Sequence, residues 1–228
     1  MKKLYKIFFL LILLVFLSTF NPHNLKTFQS VINFNLFNVK NIEITNNYLI
    51  SKDEIRLKLQ NINGKNIFFL KNDDLVNPLY LIEFLHRVEI KKKYPSTIRI
   101  KIYEENPIGI LNKKKKKFFI CESSKLIPFS ENFTFVNLPE IFGENSEIYL
   151  SDFFKSLTKM KFPMKKIKNV FRFKIGRWNL ELMNGQVIKL PFENIEESIN
   201  LSVDLLNKEN FQKYKVIDLR ISGKIITE

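Results

Sequence analysis

The sequence predicts an α+β protein: an apolar N-terminal helix, a small β-α-α-β-β unit, and a β-rich unit carrying two helices. Three observations predict it. Ile98, Ile100 and Ile102 alternate with Arg99, Lys101 and Tyr103, the period of two that marks a half-buried strand. Ser51-Lys52-Asp53-Glu54 precedes Ile55, Leu59 and Ile62, a capping box opening an amphipathic helix. From Ile108 onward, short apolar runs alternate with turn residues, and two stretches of helical spacing interrupt them.

At the N-terminus, Lys2, Lys3 and Lys6 precede the 14 uncharged residues from Ile7 to Phe20. As helix this run measures about 21 Å, shorter than the roughly 20 residues that usually span a bilayer. It reads either as a cleaved signal or as an anchor that takes in Leu4 and Tyr5 while Lys6 snorkels to the headgroups. The pairs three and one residues before a cut (Leu17/Thr19, Ser18/Phe20, Thr19/Asn21) contain no two small residues, which favours the anchor. In both readings residues 1–6 stay in the cytoplasm and everything after residue 20 is exported. Residues 21–37 form a connector with helical spacing at Leu25, Phe28 and Ile32.

The first unit, 38–107, opens with a strand from Val39 to Thr45, Ile42 and Ile44 sharing a face. Asn46-Asn47 ends it because Asn tolerates left-handed backbone. The Ser51-capped helix stops at Gly64, and Asn66 to Leu70 is a short apolar segment. Asp73-Asp74 suit a helix start, but Pro78 moves the expected start to Asn77, with Pro78 at the first helical position or at a kink. Leu79, Ile82 and Leu85 form the apolar face of that helix, and His86 lies at its end. A basic strand from Val88 to Lys93, a Tyr94-Pro95 corner and the alternating strand follow. Ile100 is expected inside and Lys101 outside. Glu104-Glu105 and Pro107 close the unit.

In the second unit, 108–228, expected strands are Ile108–Leu111, Phe118–Cys121, Leu126–Phe129, Val170–Ile175, Trp178–Leu182, Val187–Leu190, Val216–Arg220 and Lys224–Ile226. Asn184-Gly185 is a hairpin turn. One helix is expected from Ser151-Asp152 to about Met160, the other after Pro191 through Ile195, Ile199, Leu205 and Leu206.

Composition narrows the function. The chain has 228 residues, 45 % hydrophobic with 23 Phe, which calls for a packed core rather than disorder. Lys and Arg outnumber Asp and Glu by 37 to 23, a net charge of +14. Part of this follows a bias toward Lys, Asn, Ile and Phe, with no Ala at all, that A/T-rich codons impose. The rest favours anionic neighbours such as a membrane face or a wall polymer. Nucleic acid is not expected, because the N-terminal segment directs the chain to another compartment. One cysteine, Cys121, and two histidines, His23 and His86, supply neither a zinc set nor a Ser-His or Cys-His pair. There is no Gly-rich phosphate loop. Glu104 and Glu105 point to opposite faces of a strand and read as a strand-end charge pair. Lys113 to Lys117 read as a solvated hairpin loop, with contact to an anionic polymer or lipid as the alternative. Trp178 reads as core, with a partner contact as the alternative, and Arg177 faces outward. No catalytic residue, cofactor site or metal site is expected.

Several of these residues fall in a familiar order. Phe84-Leu85, Lys91-Lys92-Lys93, Pro95-Ser96-Thr97, Glu104 and Pro107 come first. Leu138-Pro139-Glu140-Ile141-Phe142-Gly143-Glu144, Arg177-Trp178, Asn184-Gly185, Leu190-Pro191 and Asp218-Leu219-Arg220 follow. In this order and spacing the chain resembles the FtsQ/DivIB family of bacterial cell-division proteins, particularly its alphaproteobacterial members, over nearly its whole length. It departs where the family commonly has Trp (Phe84 here) and Ala (Val88 and Gly109), at the turn Glu122-Ser123-Ser124-Lys125, and in a minimal C-terminal strand.

The resemblance implies a POTRA domain over 38–107 followed by a C-terminal β domain. It implies a non-catalytic scaffold at the septum, single-pass in the inner membrane, with its folded part in the periplasm. The implied partners are the division proteins FtsB and FtsL and the septal wall-synthesis machinery. It implies a contact surface made of Arg177 and the C-terminal strand Ile221-Ser222-Gly223-Lys224-Ile225-Ile226. The alternative is a POTRA-bearing export or outer-membrane assembly factor, for which a barrel of repeated amphipathic strands is expected.

Overall fold

The computed structural model describes residues 2–19 and 34–228. The spacing at Leu25, Phe28 and Ile32, His23, and the end of the apolar run at Phe20 lie outside the described residues. Helix α1 runs Lys2–Thr19. Among the described residues no helix is long and apolar enough to cross a membrane.

The first unit is a three-stranded sheet covered by short helices. β1 (Asn41–Thr45) pairs in parallel with β3 (Thr97–Glu104), and β3 pairs antiparallel with β2 (Leu85–Lys93). Ile98, Ile100 and Ile102 are fully buried on the central strand, as their alternation requires. Helix α2 (Lys52–Lys58) starts where the Ser51 hydroxyl accepts the Glu54 N–H at 3.1 Å. It supplies Ile55, and the turn beyond it Leu59 and Ile62, to the core. Asn46 and Gly64 both take positive φ, 63° and 75°.

The second helix departs from expectation. α3 spans Asn72–Val76, with Asp73 and Asp74 in its first turn, and stops before Pro78. The acidic pair at the helix N-terminus fixes the start, and Pro78, which cannot continue a helix interior, stands instead at the opening of the next turn. A 3₁₀ turn at Leu79–Leu81 follows. Leu79, Ile82 and Leu85 are all buried, but on a turn, a bend and the first residue of β2, not on one helix. His86 therefore lies on β2.

The second unit is a nine-stranded sheet in the order β12-β11-β10-β9-β8-β7-β4-β5-β6. Its strands are β4 (Pro107–Lys113), β5 (Lys116–Cys121), β6 (Leu126–Pro128), β7 (Glu140–Phe142), β8 (Ile167–Arg172), β9 (Trp178–Leu182), β10 (Val187–Leu190), β11 (Val216–Asp218) and β12 (Ile226–Thr227). Strand β7 is too short for periodicity to reveal. It is inserted in parallel between β4 and β8.

Helix α4 (Ser146–Lys159) starts five residues before the expected Ser151. Asn145, in left-handed backbone at φ 56°, turns the chain into it. Helix α5 covers Ile195–Leu206. Trp178, Leu180 and Leu182 share one sheet face with Ile188 and Leu190, and Leu150, Phe153, Leu157, Ile199 and Leu205 close that core from the two helices. Trp178 stacks on Phe153, centroids 4.4 Å apart and planes within 3°, so its core reading holds.

The two units share a strand. On β5, Phe119 and Cys121 point into the first core while Ile120 points into the second. A strand buried on both faces needs a continuous apolar run, and Phe118-Phe119-Ile120-Cys121 provides one. Phe84 packs against Phe119, Phe133 and Phe135 at centroid distances of 5.6, 4.6 and 5.8 Å.

Candidate partner-binding edge and the domain junction

β12 is the outermost strand at one end of the large sheet. It pairs antiparallel with β11, Ile217 opposite Thr227 and Asp218 opposite Ile226. Val216 and Glu228 exchange both backbone bonds at 3.2 Å. Because bonded and non-bonded pairs alternate along such a ladder, the N–H and C=O of Thr227 point away from β11, toward the open edge. Ile225 and Ile226 beside them are exposed.

The segment expected as strand Ile221–Ile226 is corrected. Ile221, Ser222, Gly223 and Lys224 form a turn, with the Lys224 N–H donating to the Ile221 carbonyl at 3.1 Å and Gly223 at φ 72°. Ile225 precedes the strand, and of the six residues only Ile226 belongs to it. Turn chemistry at Ser222-Gly223 overrides the apolar pattern, because the chain must reverse within a few residues to pair with β11.

Arg177 leads into β9 from the β8–β9 hairpin and is half-buried. Its guanidinium carbon lies 6.0 Å from the Phe173 ring centroid. Its buried Nε has no hydrogen-bond partner among the described residues. An open cleft of about 380 Å³ brings Arg177 together with Ile221, Ser222, Gly223 and Lys224, across from Phe192 and Glu197 at the start of α5. Residues some 45 positions apart in sequence thus line one hollow beside the open edge.

The Asp218-Arg220 pair stiffens this corner. Arg220 Nε donates to both carboxylate oxygens of Asp218 at 2.8 and 2.9 Å. Burial alone would raise the Asp218 pKa, but the Arg220 bonds outweigh it and hold the carboxyl below its ordinary value. A depressed carboxylate pKa stabilises the fold above the unfolded value and loses that contribution as pH falls through the folded one. Asp218→Asn is therefore expected to lower stability by about 1–3 kcal/mol at neutral pH. In thermal melts at decreasing pH the gap from the unsubstituted chain should narrow once pH drops below the ordinary aspartate range.

Sequence reasoning read the Glu104-Glu105 pair only as strand-end charge, and the structure gives each carboxylate a separate task. Glu104 Oε1 accepts the backbone N–H groups of Tyr48, Leu49 and Ile50 at 2.8, 3.0 and 2.9 Å, capping the β1–α2 turn. Glu105 is buried at the junction, where it accepts from the Ser123 hydroxyl at 2.6 Å and lies 3.2 Å from His86 Nδ1. Lys125 Nζ donates to the Leu85 carbonyl at 2.9 Å. Ser123 and Lys125 belong to the departing turn, and here they bridge the two units.

The lysine run is also corrected. Lys113 and Lys116 end β4 and begin β5, and the turn itself is Lys114-Lys115, both at positive φ. Lys113 pairs with Glu147 and Lys117 with Glu140.

The comparisons agree with this architecture. Residues 37–105 match the family described as POTRA domain, FtsQ-type, and residues 111–220 match Cell division protein FtsQ/DivIB, C-terminal. The chain is 33 % identical over 196 residues to a cell division protein FtsQ of Rickettsia bellii, covering 84 % of this chain and 72 % of that one. A Rickettsia conorii cell division protein FtsQ is 34 % identical over 197 residues, with the same coverage. The solved extracytoplasmic domain of the cell division protein DivIB from Geobacillus stearothermophilus is 9 % identical, covers 42 % of this chain and 87 % of that one, and superposes with a TM-score of 0.29, too low to support a fold-level argument. With two family matches in sequence order and relatives above 30 % identity over most of both chains, this chain belongs to the FtsQ/DivIB family of cell-division proteins.

Proposed function

We propose that the chain is a non-catalytic divisome scaffold that links early and late division proteins at the septum. In this reading residues 1–6 stay in the cytoplasm and the apolar run 7–20 anchors the chain in the inner membrane as a single pass. Residues 21–37 connect it to a POTRA domain (38–107) and a C-terminal β domain (108–228) in the periplasm. A partner strand, from FtsB acting with FtsL, adds to the free edge of β12, so that backbone bonds give affinity and adjoining pockets give specificity. Through these partners the chain bears on the wall-synthesis machinery. The export-factor alternative is not favoured by membership of a cell-division family.

The observation that carries the reading is the outward-facing Thr227 backbone beside a cleft that holds Arg177 and Ile221 to Lys224. It allows a test that separates binding from folding. Thr227→Pro deletes a donor that faces the open edge, while the Val216–Glu228 bonds remain. The full chain should keep its melting temperature within a few degrees yet lose FtsB affinity by roughly tenfold or more, about 1.4 kcal/mol. Arg177→Ala should weaken binding through the cleft. A folded Thr227→Pro protein that captures FtsB at unchanged affinity would exclude this edge.

A further inference from the structure

Three stretches of the POTRA unit meet where the chain enters it from the N-terminal side. The Ile67 N–H donates to the Phe37 carbonyl at 2.8 Å, the Val39 N–H to Lys65 at 2.9 Å and the Lys40 N–H to Ser96 at 2.9 Å. On this end the Phe68 ring lies 5.0 Å from Phe37 and stacks on Tyr94 at 4.8 Å with planes 21° apart. The cluster is open to solvent. Phe68 and Tyr94 are each 54 % exposed, and the chain neighbours of the group, Leu36 and Phe69, are 53 % and 83 % exposed. Isolated exposed apolar side chains need no explanation, but a contiguous aromatic group marks an interaction surface.

Basic residues flank its segments in the chain: Lys40 follows Val39, Lys65 precedes Asn66 and Lys71 follows Leu70. Lys40, Lys65 and Lys71 are exposed, and among the described residues no carboxylate lies within ion-pair distance of any of them. By contrast, nearby Lys93 is paired with Glu43. The neighbouring acids, Asp73 and Asp74, open α3, and Asp74 accepts the Lys71 N–H at 3.0 Å.

We infer that this aromatic and lysine face rests on an anionic lipid surface; the inference builds on the proposed N-terminal anchor. Two observations select lipid over a protein groove. Aromatic rings among lysines suit the boundary between acyl chains and headgroups, where rings bury their bodies and ammonium groups reach the phosphates. The tether also ends here. Residues 20–33 separate the apolar helix from Phe34, and even fully extended such a segment reaches only about 50 Å. The end of the domain joined to the tether is thus the one held at high local concentration near the bilayer.

The test uses the full chain with a single reporter. Cys121 is buried and its thiol is pushed up to about 12 by burial and then by the Glu105 charge, so it resists alkylation. Phe69→Cys carries an environment-sensitive fluorophore, and Lys174→Cys on the β8–β9 hairpin is the comparison position. The chain is reconstituted in phosphatidylcholine bilayers with and without phosphatidylglycerol, each containing lipid with a quencher on its acyl chain. The label at position 69 should be quenched several-fold more than the label at 174, only with phosphatidylglycerol present. High salt, or Lys40→Glu, Lys65→Glu and Lys71→Glu together, should abolish the difference. Equal quenching at both positions, or quenching indifferent to the anionic lipid, overturns the proposal. So does protection that arises only when a protein partner is added. An alkaline wash tests the anchor separately: release of the chain removes the anchor reading, while position-69 quenching before the wash still reports the lipid contact.

Discussion

Replacing Ile100 with Asp is expected to destabilise the protein by more than about 3 kcal/mol, whereas Lys101→Asp should cost about 1 kcal/mol or less. Ile100 is fully buried on the central strand of the POTRA sheet, with Ile44 of β1 on one side and Ile90 of β2 on the other. A carboxylate there is enclosed in an apolar core, so its charge is either neutralised or left unpaired. One residue on, the Lys101 ammonium sits in solvent over the Tyr103 ring at 4.9 Å. An Asp at that position meets Glu89 across the ladder, a like-charge pair of small cost. At this chain length 1 kcal/mol moves the melting temperature by roughly 2–4 °C, so the difference of at least about 2 kcal/mol should separate the two variants by about 4–8 °C or more in thermal melts. Equal shifts would mean that the strand register is wrong.

Gly143→Ala is expected to be comparably severe, and its cause is backbone rather than burial. Gly143 follows β7 at φ 110°, a conformation that costs a side-chain-bearing residue about 1–3 kcal/mol. A Cβ there would also stand 2.0 Å from the Arg172 carbonyl oxygen and 2.9 Å from its carbon. No rotamer relieves a clash with backbone. β8 has to move, and β8 carries Val170 in the core and pairs Phe171 with Phe142. The matched comparison is Gly185→Ala in the β9–β10 turn. Its φ of 84° imposes similar strain, but nothing lies within 4 Å of the added carbon. Gly185→Ala should therefore cost about 1 kcal/mol and Gly143→Ala about 3 kcal/mol or more. If chemical denaturation gives the same loss for both, close approach to β8 is not what requires glycine at 143.

The junction bears on how a partner at one end could affect the other. β5 gives side chains to both cores, and Glu105, His86, Ser123 and Lys125 close the seam with polar bonds. Two units that share a strand move together more readily than two joined by a loop. In the proposed assembly this makes the POTRA end and the β12 edge parts of one body.

Elements whose cause is local were legible in the chain alone. The alternation through Ile98, Ile100 and Ile102, the Ser51 cap and the Asn184-Gly185 turn are physical consequences of neighbours within a few residues, and all appear as expected. The sequence also located Trp178 in the core and, through the ordered motifs, the family. Where local signals competed, the reading failed: Asp73-Asp74 set the helix start that Pro78 seemed to forbid, and Ser222-Gly223 turned a segment whose apolar residues suggested a strand. The rest follows from long-range packing, because its causes lie far apart in the chain. β7 is a strand because β4 and β8 accept it. Glu104 and Glu105 acquire tasks from Tyr48–Ile50 and from Ser123. Arg177 meets Ile221–Lys224 in one cleft because β9, β10 and β11 lie side by side, and strand order is set by long-range pairing rather than by any residue's neighbours.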